Sequence, residues 1–280
     1  MKRLYPAIIS LFLLSLLYGC GADQYAIEKR YWTIQKQAER IFKNPHASPP
    51  QELERAVKSF NSFIQQYPSS ILAVDAEFSI ARLYAVKEEY GQSRGQLRAI
   101  INKPSKSPNI AAEALFMIGN SYEIEGKWSL ALEQYKKIIQ EYLETPRGLE
   151  IPVYIAQYYK VKSEPEKMAA ALQEAIAHYQ ALAVKHPDSA LAYRAQTLVA
   201  GCYLALKDWQ SAINMFNAIV RNYKGKVRMD GILMNMALIY NNELKDKVKS
   251  QETLEKLIKE YPESRLVKTA TAMLKEWEKK

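Results

Sequence analysis

The segment Ala111–Tyr142 constrains the fold more strongly than any other part of the chain. Its sequence predicts two amphipathic helices joined by a short turn at Gly126 and Lys127, because apolar residues recur in each half at the spacing of one helix face. In the first helix these residues are Leu115, Ile118, Gly119 and Tyr122, and in the second they are Ala131, Tyr135 and Ile138. The segment therefore predicts a helical hairpin.

The centres of the two apolar faces carry small residues, Gly119 and Ala131. Small residues there allow the two helix axes to approach closely, while the rings of Tyr122 and Tyr135 fill the space beside them. A single hairpin cannot bury such faces, so it needs neighbouring hairpins of the same kind. The chain is therefore expected to repeat this unit.

The spacing resembles that of the tetratricopeptide repeat (TPR), which has a large residue, then Leu-Gly, Tyr, Ala, an aromatic residue and a closing Pro. The residues at the corresponding positions are Leu115, Ile118, Gly119, Tyr122, Ala131 and Tyr135, with Leu143 in place of the Pro. The resemblance implies an all-α fold, an α-solenoid in which helical hairpins stack into a right-handed superhelix. It also implies a binding architecture, but it does not identify the ligand.

The same pattern recurs and predicts about six TPR-like hairpins, which end near residues 68, 105, 143, 187, 224 and 262. Arg265–Lys280 is expected to be a C-terminal capping helix, because its apolar residues lie on one side and its charges on the other. No linker interrupts the pattern, so residues 24–280 are predicted to form one TPR-like α-solenoid.

The fourth hairpin is longer than the others. Tyr159 and Ala175 are sixteen residues apart, whereas the equivalent Tyr122 and Ala131 are nine apart. The seven added residues amount to about two helical turns and keep the apolar face in phase. The helix Glu166–Lys185 is therefore expected to project beyond its neighbours, either as tolerated growth of a connection or as a ridge that docks a partner.

Local patterns predict three helix starts. Ser48 with Gln51, and Ser163 with Glu166, have the spacing of a capping box. Asp208 is expected to cap the second helix of the fifth hairpin through its carboxylate.

Residues 1–19 predict a lipoprotein signal peptide. Lys2 and Arg3 precede the apolar run Ala7–Tyr18, whose twelve residues are too few to span a bilayer as a helix. The run ends in the sequence LYGC, which resembles the bacterial lipobox. The resemblance implies that Cys20 becomes the acylated N-terminus, with residues 20–23 as the lipidated Cys and a short tether. An ordinary signal peptide that leaves a Cys is the alternative.

The residue after Cys20 is Gly21 rather than Asp, which by family resemblance implies the outer membrane and its periplasmic face. The other cysteine, Cys202, lies inside a predicted helix and is expected to be a small buried thiol. If Cys20 is acylated, the chain has no pair of thiols for a disulfide.

The formal net charge of +9 is compatible with solubility alone, or with attraction to an anionic membrane surface or an acidic partner. Basic and acidic residues are interspersed and no nucleic-acid-binding motif is present, so nucleic acid is not an expected partner. His46, His178 and His186 do not have metal-ligand spacing, and the sequence has no phosphate-binding loop or nucleophile elbow. We therefore predict no metal, no cofactor and no catalytic residues; the protein is not expected to be an enzyme.

The resemblance places partner-binding residues on the first helix of each hairpin, at positions that point away from the second helix. These positions hold Phe78, Arg82, Phe116, Asn120, Val153, Gln157, Lys160, Arg194, Thr197, Met234 and Asn241. Rings, amides and cations suit an extended, acidic peptide. The alternative for Phe78 and Phe116 is that they pack between adjacent hairpins.

A lipobox followed by repeats that end in Tyr-Pro-x-Ser, as at Tyr67–Ser70 and Tyr261–Ser264, resembles outer-membrane-protein assembly lipoproteins of the BamD type. The resemblance implies a membrane-anchored periplasmic scaffold that binds other envelope proteins or peptides, with a β-barrel assembly protein as one candidate partner. Two alternatives remain open, a cell-wall or division coordinator and a non-catalytic regulator of a peptidoglycan enzyme.

Overall fold

The computed structural model of the chain describes residues 5–103 and 107–277, with side chains from residue 24 onward. Within these ranges all regular secondary structure is α-helical, which confirms the predicted all-α fold class. The side chain of Cys20 lies outside the described residues, as do the side chains of the predicted signal and tether and the last three residues of the predicted cap.

Thirteen helices lie in the described ranges, and most are joined to the next by a turn of a few residues. The helices are α1 (Tyr5–Lys43), α2 (Pro50–Gln66), α3 (Ile71–Val86), α4 (Tyr90–Ile101), α5 (Pro108–Ile124), α6 (Trp128–Tyr142), α7 (Pro146–Val161), α8 (Pro165–Lys185), α9 (Ala190–Ala205), α10 (Trp209–Asn222), α11 (Asp230–Asn242), α12 (Lys247–Glu260) and α13 (Val267–Trp277). The six predicted hairpins are α1 to α12 taken in pairs, and each ends within four residues of its predicted end. The capping helix α13 begins two residues later than predicted.

The helices form two compact units, one ending at Arg147 and the other beginning at Gly148. In the first unit α1 packs against both α2 and α3, and the following helices pack on one another in order as far as α6. Tyr31, Phe60 and Phe63 form the aromatic centre of the core shared by α1, α2 and α3. This core is built from the residues that the helical periodicity places on one face.

In the second unit, consecutive helices from α8 to α13 pack on one another. The core extends from Ala200 on α9 through Phe216 and Leu254 to Ala270 on α13. Leu266, Met273 and Trp277 are half-buried against this core, so α13 covers its end as a cap does.

In five hairpins, each of the two helices carries a small, buried residue, and its position is equivalent from one hairpin to the next. In the first helices these residues are Ala81, Gly119, Ala156, Ala200 and Ala237, and in the second helices they are Ser93, Ala131, Ala175, Ala212 and Ser250. In the third hairpin a Cβ added to Gly119 would lie 2.4 Å from Cε1 of Tyr135, whose ring is fully buried. The ring of Tyr135 therefore occupies the space that a larger residue at position 119 would need, as the predicted role of a small residue there requires.

The turn inside each of these five hairpins contains one residue with a positive φ. These residues are Glu88 (φ 63°), Gly126 (φ 73°), Ser163 (φ 57°), Lys207 (φ 58°) and Lys245 (φ 57°). Only Gly126 is a glycine, although the left-handed region costs other L-residues roughly 1–2 kcal/mol. In four of the five turns the next residue donates its backbone N–H to a carbonyl oxygen five residues earlier, at 2.8–2.9 Å. The left-handed residue therefore belongs to a helix C-cap that satisfies carbonyl groups of the preceding helix.

The helix starts agree with one of the three capping predictions. The carboxylate of Asp208 accepts a hydrogen bond from the backbone N–H of Ser211, so the predicted cap is confirmed. Both capping-box predictions are wrong. Ser48 donates its hydroxyl proton to the carbonyl oxygen of Asn44 at the end of α1, and Ser163 lies in the left-handed turn before α8.

The helix α1 begins at Tyr5 and continues without interruption to Lys43, whereas the predicted solenoid begins only at residue 24. Among the described residues, no helix is both long enough and apolar enough to cross a membrane.

The predicted long helix of the fourth hairpin is confirmed. The helix α8 has 21 residues, against 15 in α6 and 14 in α10. Its buried Ala175 is ten residues from its start, whereas Ala131 is three residues from the start of α6, so the insertion forms the first two turns of α8. A role for these turns in docking a partner stays a prediction.

We predict that Gly119→Ala destabilises the protein, because the new methyl group would overlap a tyrosine ring that cannot move without disturbing the core. The expected loss in the free energy of unfolding, measured by urea denaturation, is about 1–3 kcal/mol. Gly95→Ala is the control, because Gly95 is exposed on α4 with no atom near its Cβ position. That substitution should stabilise by about 0.5–1 kcal/mol. Equal effects at the two glycines would contradict the packing argument.

Candidate partner-binding surfaces

The seven principal candidates for partner binding are divided between the two units. Phe78 and Arg82 lie one turn apart on α3, and Phe116 and Asn120 lie one turn apart on α5, both in the first unit. The second unit carries Gln157 and Lys160 on α7 and Arg194 on α9. All seven are on first helices of hairpins, and each unit presents its own set.

The ring of Phe78 is half-buried and packs against the core shared by α3, α4 and α5. That core contains Ala81, Leu97 and Ile118, which come from two consecutive hairpins. Phe78 therefore packs between adjacent hairpins.

Phe116 is half-buried beneath the guanidinium group of Arg147, whose Cζ lies 4.0 Å from the ring centroid. The same guanidinium donates to both carboxylate oxygens of Glu113, with N–O distances of 2.9 and 3.2 Å. Because the guanidinium group is paired with a carboxylate and stacked on the ring, the fold itself uses both its charge and the ring face. Phe116 is thus covered by Arg147 within the first unit.

Arg82 is part of a polar network that ties α3 to α1. Its Nη2 donates to Oγ of Ser79 at 3.0 Å and lies 3.5 Å from Oδ1 of Asp75. Tyr31 on α1 donates its hydroxyl proton to the other oxygen of Asp75, and burial with this carboxylate raises the pKa of Tyr31 to about 12. The charge of Arg82 is therefore partly compensated within the fold.

Four candidates are available to a partner. Gln157, Lys160 and Arg194 are exposed and Asn120 is half-buried, and none of the four makes a side-chain hydrogen bond or ion pair with the described residues. Met234, by contrast, is only 6% exposed and lies in the core of the second unit, so its prediction as a surface residue is wrong. Among the seven principal candidates, these four polar side chains remain for contact with a partner.

A second polar cluster, which the sequence does not reveal, joins α4 to α5. The side chain of Arg94 is 12% exposed, donates to Oγ of Ser121 at 2.6 Å and pairs with the carboxylate of Glu125. Its Cζ lies 4.2 Å from the ring centroid of Tyr122. Hydrogen bonds from Lys127 and from Arg94 hold the pKa of Glu125 below its ordinary value of 4.5. The partners are 27 and 31 residues from Arg94 along the chain, so no local pattern marks them.

Cys202 on α9 is free and 1% exposed, as predicted. Burial raises the pKa of its thiol to about 11, so the reactive thiolate is scarce near neutral pH. Within the described ranges, no group of three or more His, Cys, Asp or Glu side chains is placed to hold a metal ion. The expectation that the protein has no cofactor and no catalytic residues stays a prediction.

Three segments of the chain match the family model of the tetratricopeptide repeat, at residues 113–142, 194–225 and 232–264. They correspond to the third, fifth and sixth hairpins. These segments support the interpretation of the chain as a TPR-repeat protein, and repeats of this kind form interaction surfaces for other proteins. A comparison with curated protein sequences gives no match.

Several solved structures are similar to this chain at low sequence identity. BtubC from P. vanneervenii is 16% identical, with a TM-score of 0.41, and the match covers 89% of this chain and 92% of that chain. The C-terminal part of a TPR repeat-containing protein from Cytophaga hutchinsonii is 14% identical, with a TM-score of 0.43 and coverages of 80% and 78%. A tetratricopeptide repeat protein from Parabacteroides merdae is 13% identical, with a TM-score of 0.38 and coverages of 82% and 80%.

We predict that Arg94→Met lowers the free energy of unfolding at neutral pH by about 1–3 kcal/mol, because Ser121 and Glu125 lose a buried partner. The lowered pKa of Glu125 means that its ion pairs stabilise the fold above pH 4.5 and that this contribution disappears as the pH falls through the folded-state value. The difference between the parent and Arg94→Met, measured by urea denaturation, should therefore shrink in acid.

Arg98→Met is the matched control, since Arg98 is one turn further along α4, is exposed and makes a single long hydrogen bond of 3.3 Å to Tyr122. Its expected cost is within about 0.5 kcal/mol. A difference for Arg94→Met that is the same at every pH would argue against the ion pair with Glu125.

Proposed function

We propose that this chain, which carries tetratricopeptide repeats at residues 113–142, 194–225 and 232–264, is a non-catalytic scaffold that is lipidated at Cys20 and binds other envelope proteins at the periplasmic face of the outer membrane. The observation that carries the proposal is a repeat-built body whose first helices keep polar side chains exposed. Stacked helical repeats use such surfaces to bind other proteins.

The chemistry of the exposed side chains favours an extended, acidic partner segment. Gln157 can donate to and accept from a peptide backbone, while Lys160 and Arg194 supply positive charge that is not neutralised by the described residues. Electrostatic complementarity of this kind accelerates association and orients the partner. A segment of a β-barrel assembly protein is our specific proposal for this partner.

The anchor is proposed from the sequence at the N-terminus. The LYGC sequence places Cys20 directly after a short apolar run, as in a lipobox. One acyl chain gives only marginal membrane binding, so stable attachment requires the several chains that lipoprotein processing supplies. The body would then be held close to the membrane, since α1 continues from Cys20 into the core of the first unit.

The lipid anchor is testable with a thiol count, because the chain contains only Cys20 and Cys202. We expect the mature protein from the membrane fraction to react with no thiol reagent in its native state and with one equivalent after denaturation. Intact mass should show cleavage before Cys20 together with a diacylglyceryl group and an amide-linked acyl chain.

Cys202→Ala is the control for this count and should remove the reactive thiol of the denatured protein. Two reactive thiols after denaturation, or a mature mass without acyl groups, would disprove the anchor. Neither result would bear on partner binding by the body.

The proposed partner is testable by mild crosslinking in membranes followed by purification of the scaffold. We expect a β-barrel protein to co-purify, and we expect the triple variant Gln157→Ala, Lys160→Glu, Arg194→Glu to recover less than about a tenth of it. Arg221→Glu with Lys256→Glu is the control, because these exposed cations lie on second helices. Recovery of the scaffold alone from the parent would count against the proposal.

A further inference from the structure

An open groove of about 1020 Å³ runs between α1 and α2 in the first unit. Its charged lining residues are Lys29, Arg30 and Arg40 from α1 and Glu52, Arg55 and Lys58 from α2. Five of the six are basic, so the groove is strongly electropositive.

The single carboxylate neutralises little of this charge. Glu52 lies 3.3 Å from Nη1 of Arg40, which accounts for one of the five cations. Lys29, Arg30 and Lys58 are exposed and have no ion pair with the described residues. Since like charges repel one another, such a cluster favours a bound anionic partner.

Beside the groove, α1 exposes two large aromatic side chains on its outer face. Tyr25 is 65% exposed and Trp32 is 59% exposed, and the ammonium group of Lys36 lies 4.9 Å from the Trp32 ring centroid. Tyr25, Trp32 and Lys36 are spaced by seven and four residues, which places them on one side of the helix. This surface therefore combines aromatic rings with cations.

We infer that this surface, consisting of the outer face of α1 and the basic groove beside it, binds the anionic headgroups of a phospholipid bilayer. Trp and Tyr rings favour the boundary between headgroups and acyl chains, and Lys and Arg are attracted to anionic lipid. An acidic protein segment would explain the cations but not the exposed rings on the same helix.

The inference rests on the membrane attachment given under Proposed function, because that attachment brings the surface to a bilayer. Trp32 is twelve residues from Cys20 on the same helix, which corresponds to about 18 Å at 1.5 Å per residue. An anchor at that distance keeps α1 within reach of the headgroups. The contact would therefore hold the first unit against the membrane that carries the anchor.

The test uses the purified full chain with Cys20→Ser, so that acyl chains do not contribute to binding. Co-flotation is measured with vesicles of phosphatidylcholine and with vesicles of equimolar phosphatidylcholine and phosphatidylglycerol. The apolar segment Ala7–Tyr18 is present in every variant and contributes equally. We expect binding to the anionic vesicles to be at least about tenfold tighter, because each basic residue at an anionic surface adds to the attraction.

The quadruple variant Lys29→Gln, Arg30→Gln, Arg55→Gln, Lys58→Gln should lose this preference and should show the helicity of the parent, since all four side chains are exposed. The matched control is Arg221→Gln, Lys256→Gln, Arg265→Gln, Lys268→Gln, which removes two arginines and two lysines from exposed positions of the second unit. The control variant should keep the preference.

A second measurement locates the aromatic contact. Tryptophan fluorescence of the parent should be quenched by brominated lipid in anionic vesicles, and Trp32→Phe should remove most of this quenching. Unchanged quenching in Trp32→Phe would contradict the inference.

Three further results would overturn it. The first is equal binding of the parent to both kinds of vesicle, and the second is an equal loss of binding in the quadruple and control variants. The third is binding of the parent to polyglutamate but not to anionic vesicles, which would identify an acidic polypeptide as the ligand. Failure of the lipid anchor is detected separately, by the mass of the mature protein.

Discussion

The close approach of two helices over small side chains is the interaction on which the rest of the structure depends. Gly119 leaves no room for a Cβ beneath the ring of Tyr135, and the equivalent positions in four other hairpins hold buried Ala. The turn that joins the paired helices reverses within a few residues. Glu88 and Lys207 adopt a left-handed conformation there, and the residue after each donates its backbone N–H to a carbonyl oxygen near the end of the preceding helix, at 2.9 Å.

The same packing decides which side chains remain free for function. The rings of Phe78 and Phe116 were both suggested by the sequence as contacts for a partner. Phe78 packs between consecutive hairpins, and Phe116 is covered by Arg147 within the first unit. Gln157 and Arg194 lie on first helices too, but they are not used within their unit. These first helices therefore offer polar and charged groups to a partner, while the rings of Phe78 and Phe116 stabilise the packing of the helices.

Helical periodicity was sufficient to predict the helices, the ends of the hairpins and the extended α8, because each depends on residues within a few turns of one another. Contacts between hairpins were not predictable in this way. Arg94 meets Glu125 across 31 residues, and Arg147 meets Glu113 across 34. The capping box at Ser163 failed because this residue belongs to the left-handed turn that ends α7, so the residue before α8 is Glu164 and not Ser163. The groove between α1 and α2 likewise depends on how two helices pack, so the sequence showed only its scattered basic residues.

The central claim is that the first helices of the hairpins carry the partner-binding surface. Photocrosslinking in cells tests it most directly, with a photoreactive amino acid placed singly at Gln157 or Arg194 on first helices and at Glu174 or Asn217 on second helices, four exposed positions of the second unit. The account predicts that the same protein partner is captured from Gln157 and Arg194 and not from Glu174 or Asn217. Capture from the second-helix positions alone, or equally from all four, would contradict it.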